Sequence, residues 1–449
     1  MRELDEMSDV VFGPFVFEMA DMRLLRDDAE LRLRPQARRV LRVLLLHRGH
    51  TIGYEQMMAE AWEGTFVSRH TVDVTVAELR KTLGEFGRWI THRTKEGYSL
   101  DVPSSEELIR RGWHFWTRRT REGAERAIEC FQKAADECPG DFRAYEGLST
   151  CYLMLATFSM RAPLEVYPKF LEAHERAVAA GGMTGELHCN RGQGLHLFER
   201  NVAEAEAEFL RAAELKPAFA ATYVRTVMLY ATQGRLDEAL EMVRRAYRWQ
   251  PLLPTAATIE VDLHVWRREF ELATVLGEKA VELHPYLQVA RAAYAQALQF
   301  SGKLDDALAQ YRLTSVMCPD LPWLRALEGT CLAAMGLERR ALPILEGLEQ
   351  LRQTEYVDAY YMAVFRCALG QREKAFAELE RACDENAAPL FAMMVDPKLD
   401  GLRGDPRVAM MFASLYGRPA AATLRPQIRT VVSDISARRS ASREGGRRT

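Results

Sequence analysis

GRLDEALEMVRRAYRWQP at residues 234–251 and GKLDDALAQYRLTSVMCP at residues 302–319 decide the reading of this 449-residue chain. Each opens on a glycine, passes through acidic residues into an amphipathic run, and closes on a proline. They are steps in a longer series. Pro217, Pro251, Pro285 and Pro319 fall 34 residues apart. So do Ala205, Ala239, Ala273 and Ala307, and so do Ala212, Ala246 and Ala280, with Thr314 at the next step. A strict period of this length, with small residues at fixed offsets and a closing proline, is the pattern of stacked helix–turn–helix units. Two short helices cannot bury their apolar faces alone. Small side chains let neighbouring helices approach, and stacking completes one continuous core. Proline closes each second helix because it has no N–H to donate and clashes with the preceding turn.

Tyr223, Tyr230, Gly234, Ala239, Ala246 and Pro251 stand at the signature offsets of the tetratricopeptide repeat, and the series resembles that family. The expected architecture is an all-α solenoid of about eight repeats over residues 107–387, followed by a helical cap over 388–417. The resemblance implies a concave groove lined by the first helix of each unit. The residues at its inward offsets are Asn190, Val224, Met228, Asp262, Trp266, Gln296 and Phe300, which mix apolar anchors with few charges. A protein or peptide partner, or an apolar segment of this chain itself, is the expected guest. Gly192 and Gly194 read as sites of close helix packing, and His188 as a packed residue.

The first hundred residues have a different grammar. FGPFVFEM, DMRLLRDD and AELRLR, within residues 12–34, are short β-like runs separated by turns. Pro35 opens an amphipathic helix that Gly49 ends. Residues 54–62 read as a second helix. Ser68 is the N-cap of a third, whose Val72, Val76, Leu79 and Leu83 share one face. Residues 89–102 read as a hairpin turning at Lys95, Glu96 and Gly97. Three helices and a hairpin in this order resemble the OmpR/PhoB-type winged helix-turn-helix, over residues 11–103. The resemblance rests on residues 33–46, Ala61-Trp62, residues 71–74, residues 79–84, Ile90-Thr91 and Gly97-Tyr98. It implies an α+β domain whose third helix enters the major groove of promoter DNA and whose wing touches the adjacent minor groove. The implied contact residues are Arg69, His70, Thr71, Thr75, Glu78, Arg80 and Lys81 on or beside the third helix, and Arg93, Thr94 and Lys95 on the wing. Arginine and lysine pair with phosphate or guanine, threonine with phosphate or a thymine methyl, and glutamate with the cytosine amino group. Relatives often carry basic residues where this chain has Ala77-Glu78, so its sequence preference is expected to differ.

The net charge of −3 hides a local bias. Residues 31–103 hold twelve lysines and arginines against eight acids, and residues 418–449 hold eight arginines against two acids. The tail, rich in alanine, serine and glycine, is expected to be disordered. The eight cysteines form no CxxC pair, which speaks against a zinc ribbon and fits a reducing cytoplasm. No run approaches the ~20 apolar residues of a membrane span. GxxxxGK[ST], GxSxG and HExxH are all missing, so neither an enzyme nor a cofactor or metal site is expected. With the winged helix starting near Met1, no receiver domain is expected before it. The combined reading is a cytoplasmic multidomain transcriptional regulator that binds double-stranded promoter DNA, as two copies on tandem half-sites, under the control of a partner in its repeat groove. Two other readings use the same segments: an adaptor with a degenerate winged helix, and a regulator whose repeats sense a small ligand.

Overall fold

The structure, a computed structural model, describes residues 9–12, 15–26, 29–62, 67–93, 96–102 and 104–417. The tail over 418–449 and the wing residues Thr94 and Lys95 lie outside the described residues. The chain divides into two compact units. The first is the chain up to His114 with Cys130–Pro139; the second is Phe115–Glu129 with the chain from Gly140 on.

The first unit opens with four antiparallel strands in sequential order, β1 (Val10–Phe12), β2 (Phe15–Glu18), β3 (Arg23–Arg26) and β4 (Ala29–Leu31). Alternation sends Phe15 and Phe17 of β2 inward, where Phe12 and Leu24 join them. Pro35 then starts α1 (Pro35–Leu46), whose Val40, Leu41 and Leu44 are fully buried. α2 (Tyr54–Trp62) contributes Met57 and Trp62 to the same core. At the start of α3 (Arg69–Leu83), the Ser68 hydroxyl accepts the Thr71 N–H at 3.3 Å and supplies one of the partners that a helix start lacks. Val72, Val76, Leu79 and Leu83 line its inner face with no exposure at all. Burial of each such side chain contributes about 1.5–3 kcal/mol. β5 (Ile90–Arg93) and β6 (Gly97–Leu100) form the hairpin, with His92 opposite Tyr98 and Arg93 opposite Gly97. Ile52, between α1 and α2, bridges to Tyr98 and ties the hairpin to the helices.

After α4 (Ser104–Trp116) and α5 (Arg121–Glu137), helix pairs follow: α6 (Phe142–Thr157) with α7 (Pro163–Gly181), α8 (Gly185–Leu197) with α9 (Val202–Leu215), and α10 (Ala220–Thr232) with α11 (Leu236–Trp249). Next come α12 (Pro254–Trp266) with α13 (Phe270–Leu283), α14 (Gln288–Phe300) with α15 (Leu304–Met317), α16 (Pro322–Ala334) with α17 (Glu338–Leu351), and α18 (Ala359–Ala368) with α19 (Arg372–Glu385). The period runs further than its prolines. Ala205, Ala239, Ala273, Ala307, Ala341 and Ala375, each 34 residues from the last, all have zero exposure. Each sits where one helix presses on its partner, and a larger side chain there would hold the pair apart. Pro217, Pro251, Pro285 and Pro319 stand two residues beyond the ends of α9, α11, α13 and α15.

The solenoid does not end flat. Asn386 takes a left-handed conformation at φ 57° and turns the chain back. The following residues form short 3-10 turns at Ala388–Ala392 and Pro397–Leu399. The chain closes with α20 (Asp400–Arg403) and α21 (Pro406–Tyr416), which packs on α19. The stretch expected to cap the array therefore has two parts. α21 covers the last helix pair, and residues 387–400 run along the inner helices.

Candidate functional site

The buried face of α3 fixes what its other face can do. His70, Val74, Ala77 and Lys81 form one exposed stripe, spaced i, i+4, i+7 and i+11. Arg69 is exposed at its head and lies over the Tyr54 ring at 5.2 Å. Thr71 is half-buried, its hydroxyl 3.1 Å from that of Ser68. Glu78 flanks the stripe with a carboxylate oxygen 3.6 Å from Nε of Arg34, which offsets part of its charge. Arg93 is exposed on β5.

Two expected contact residues are placed otherwise. Thr75 is only 7% exposed, and its hydroxyl donates to the Thr71 carbonyl at 2.8 Å. The reason is helical geometry: Thr75 lies three residues after Val72 and four before Leu79, on the core side. Arg80 is turned away from the stripe. Its Nε and Nη2 donate to the Ile90 carbonyl at 3.0 and 2.6 Å, and its guanidinium lies 5.7 Å from the Tyr98 ring centroid. It clamps α3 to the hairpin.

Two other features were not singled out from the sequence. Val74, at 54% exposure, stands in the middle of the outward stripe. The signal was present, because Val74 is four residues from His70 and three from Ala77. The second feature is a polar lock in the first turns of α3. One oxygen of Asp73 accepts the hydroxyls of Tyr54 and Tyr98, both at 2.8 Å, and Tyr54 Oη stands 3.1 Å from His92 Nε2. Desolvation pushes the Asp73 carboxyl up, but the Tyr98 and Tyr54 hydroxyls outweigh it and hold the group below its ordinary range. The lock joins α2, α3 and the wing at one ionised oxygen.

In the second unit the inner faces of the helices are already engaged. Asn190 donates to Thr150 Oγ1 at 2.9 Å and accepts from Arg225 at 2.6 Å. Val224 and Met228 pack against the helical core. The Trp266 ring meets Phe391 edge-on at 5.8 Å. Gln296 accepts from Lys398, whose Nζ is also 3.0 Å from Asp396. Burial raises the Asp262 carboxyl to about 7, with Lys398 opposing that rise and Asp396 adding to it. Phe300 stacks on Phe270 at 5.5 Å. Asp262, Trp266 and Gln296 thus face residues 391–398 of the same chain. An apolar residue of this chain, Phe391, stands on that surface. The glycine reading also holds: a Cβ on Gly192 would lie 2.8 Å from Phe209, and one on Gly194 would lie 2.9 Å from Phe170. His188 is buried, with Nδ1 2.6 Å from Glu208.

Among the described residues, no group of three His, Cys, Asp or Glu side chains is placed to hold a metal ion, and no helix is long and apolar enough to cross a membrane.

Residues 28–100 match the family described as "Transcriptional regulatory protein, C terminal". Comparison with curated proteins gives no match. Among solved structures, the chain is similar to a human IFIT1 dimer with m7Gppp-AAAA, at 15% identity over 70% of this chain and 78% of that one, TM-score 0.47. It is similar to pilF of Pseudomonas aeruginosa at 17% identity over 48% and 92%, TM-score 0.33. It is also similar to a tetratricopeptide repeat protein from Parabacteroides merdae at 16% identity over 70% and 99%, TM-score 0.35.

Proposed function

We propose that this chain, an OmpR/PhoB-type winged helix fused to a tetratricopeptide solenoid, is a cytoplasmic regulator that reads promoter DNA with the outer stripe of α3. One observation carries the reading. α3 is locked on its inner face by fully buried residues and in its first turns by the Asp73 hydroxyl pair, while His70, Val74, Ala77 and Lys81 stay outward. A rigid helix with a free, mildly basic face is what the major groove accepts. Lys81 and Arg69 are suited to phosphate or guanine, and Val74 and Ala77 to a thymine methyl. Arg93 on the wing, with Thr94 and Lys95 after it, is suited to the neighbouring groove or backbone. Two copies on tandem half-sites would extend the contact. The solenoid is the regulatory part, and its ligand is a protein or peptide segment.

The test is a genome-wide capture of sheared DNA by the full chain, repeated with Arg69, Lys81 and Arg93 all changed to alanine. A few enriched promoter fragments that vanish in the triple variant support the reading. Enrichment that survives the change removes α3 and the wing as readers. If four or five phosphates are neutralised, log K falls with log salt at a slope of about −4.

A further inference from the structure

The loops between paired helices carry a hidden series. Arg200, Gly234, Arg268, Gly302, Gly336 and Gly370 stand 34 residues apart, and all have φ between 57° and 80°. Left-handed backbone suits glycine and strains a residue that has a Cβ. Four of the six positions are glycine. The other two are arginine, and both arginines reach the same stretch of chain.

Arg200 is buried. Its Nη2 donates to the Ala387 carbonyl at 2.8 Å and its Nη1 to the Tyr416 hydroxyl at 2.7 Å. Arg268 donates through Nη1 to the Val395 carbonyl at 2.7 Å and through Nη2 to Asp400 at 2.8 Å. Between these anchors the segment behaves as a docked peptide. It lacks a long helix of its own, it is gripped by its main-chain carbonyls, and it sets side chains into the inner wall. Phe391 lies against Trp266, and Asp396 accepts the Tyr360 hydroxyl at 2.7 Å. Asn386, at the turn, donates to the Phe198 carbonyl at 2.7 Å.

We propose that residues 387–400 are the resident peptide ligand of the concave face, latched by Arg200 and Arg268, and that an extended peptide of the same pattern exchanges with them. The pattern is an aromatic residue four positions before an aliphatic–acidic pair, as in Phe391, Val395 and Asp396. The proposal rests on reading the solenoid as the peptide-binding part of the molecule. Glycine at the two latch positions removes the grip and relieves the backbone at the same time, so the direction of the response separates a latch from a tolerated accident of sequence.

The experiment is hydrogen exchange by mass spectrometry on the full chain, on Arg200→Gly/Arg268→Gly and on Phe391→Ala. It is paired with binding of a fluorescent synthetic peptide spanning residues 386–400. In the double variant, the amides of 387–400 should exchange at least tenfold faster while those of α13–α15 keep their protection. The peptide should bind the Phe391→Ala chain, which keeps both arginines, at least tenfold more tightly than it binds the unaltered chain or the double variant, and a peptide carrying Phe391→Ala should not bind. Unchanged protection of 387–400, or a double variant that melts higher with the segment still protected, overturns the latch. In the Phe391→Ala chain, release of 387–400 without peptide binding overturns the exchange and leaves the DNA reading standing, because that reading rests on α3 and the wing. If the double variant loses protection in α13–α15 as well, the Phe391→Ala chain decides by the same criteria.

Discussion

Arg80→Ala separates a structural arginine from a reading one. In sequence Arg80 looks like a neighbour of Lys81 on a DNA-binding helix. In the structure its two donors converge on the Ile90 carbonyl and its guanidinium lies against Tyr98. Hydrogen bonds from a charged donor contribute about 1.5–3 kcal/mol when lost from a partly buried site. The ring contact adds about 0.5–1 kcal/mol. The substitution should therefore destabilise the winged helix by about 2–4 kcal/mol, lowering its urea midpoint by about 1 M or more. Trp89, buried beside the clamp, reports the transition by fluorescence. At low denaturant, where the variant is still folded, the slope of log K against log salt should equal that of the parent, because no phosphate contact has gone. Lys81→Ala should behave in the opposite way, with an unchanged midpoint and a slope flatter by about 1. If Arg80→Ala leaves the midpoint in place and flattens the slope, the guanidinium sits on phosphate and the clamp is wrong.

Other expectations follow from the same geometry. Val74→Ser should change which sequences a random DNA library yields and weaken the preferred site by about 1 kcal/mol without altering the salt slope; an unchanged motif would remove Val74 from the reading face. Gly329→Ala should lower thermal stability by about 1–3 kcal/mol or more, since the added Cβ would lie 2.1 Å from the fully buried Phe365 ring; an equal melting temperature would show that the ring yields. Burial raises Asp262 and Glu146 to about 7 and Asp358 to about 6. Over about pH 4 to 7 these groups hold more protons folded than unfolded, so their contribution is full below the unfolded value near 4 and declines as the pH rises. Asp262→Asn should shrink the drop in melting temperature between pH 5 and 7.5, and an undiminished drop would exclude Asp262 as a source.

The repeat was legible because its signal is arithmetic. A period of 34 in alanine and proline leaves helical stacking as the economical explanation, and the buried alanine series continues it through Ala375. The winged helix was legible through order: capped helices, then a hairpin. Face assignment within α3 was legible only in part. Thr75 is polar yet core-facing, because threonine can satisfy its hydroxyl on its own helix, as it does at Thr71. Val74 is apolar yet outward, and residue type gave no hint of that. Residues 387–400 were the hardest to place. Inward offsets name the residues that line a groove and say nothing of what fills it. The anchors Arg200 and Arg268 are informative only once their backbone is known to be left-handed.

Ser159, just beyond α6, donates to Asp358 at 2.5 Å, and Arg121 lies 3.1 Å from Glu355. These contacts join the early helices of the second unit to its late ones, across 199 and 234 residues of sequence. An open repeat array is nearly one-dimensional: each unit feels only its neighbours, and its ends can fray one repeat at a time. Stitching start to finish removes the free ends. The second unit should therefore melt as one cooperative body instead of unzipping, and its folding should be slow for a helical protein, because the pairs that close it are among the most distant in the chain.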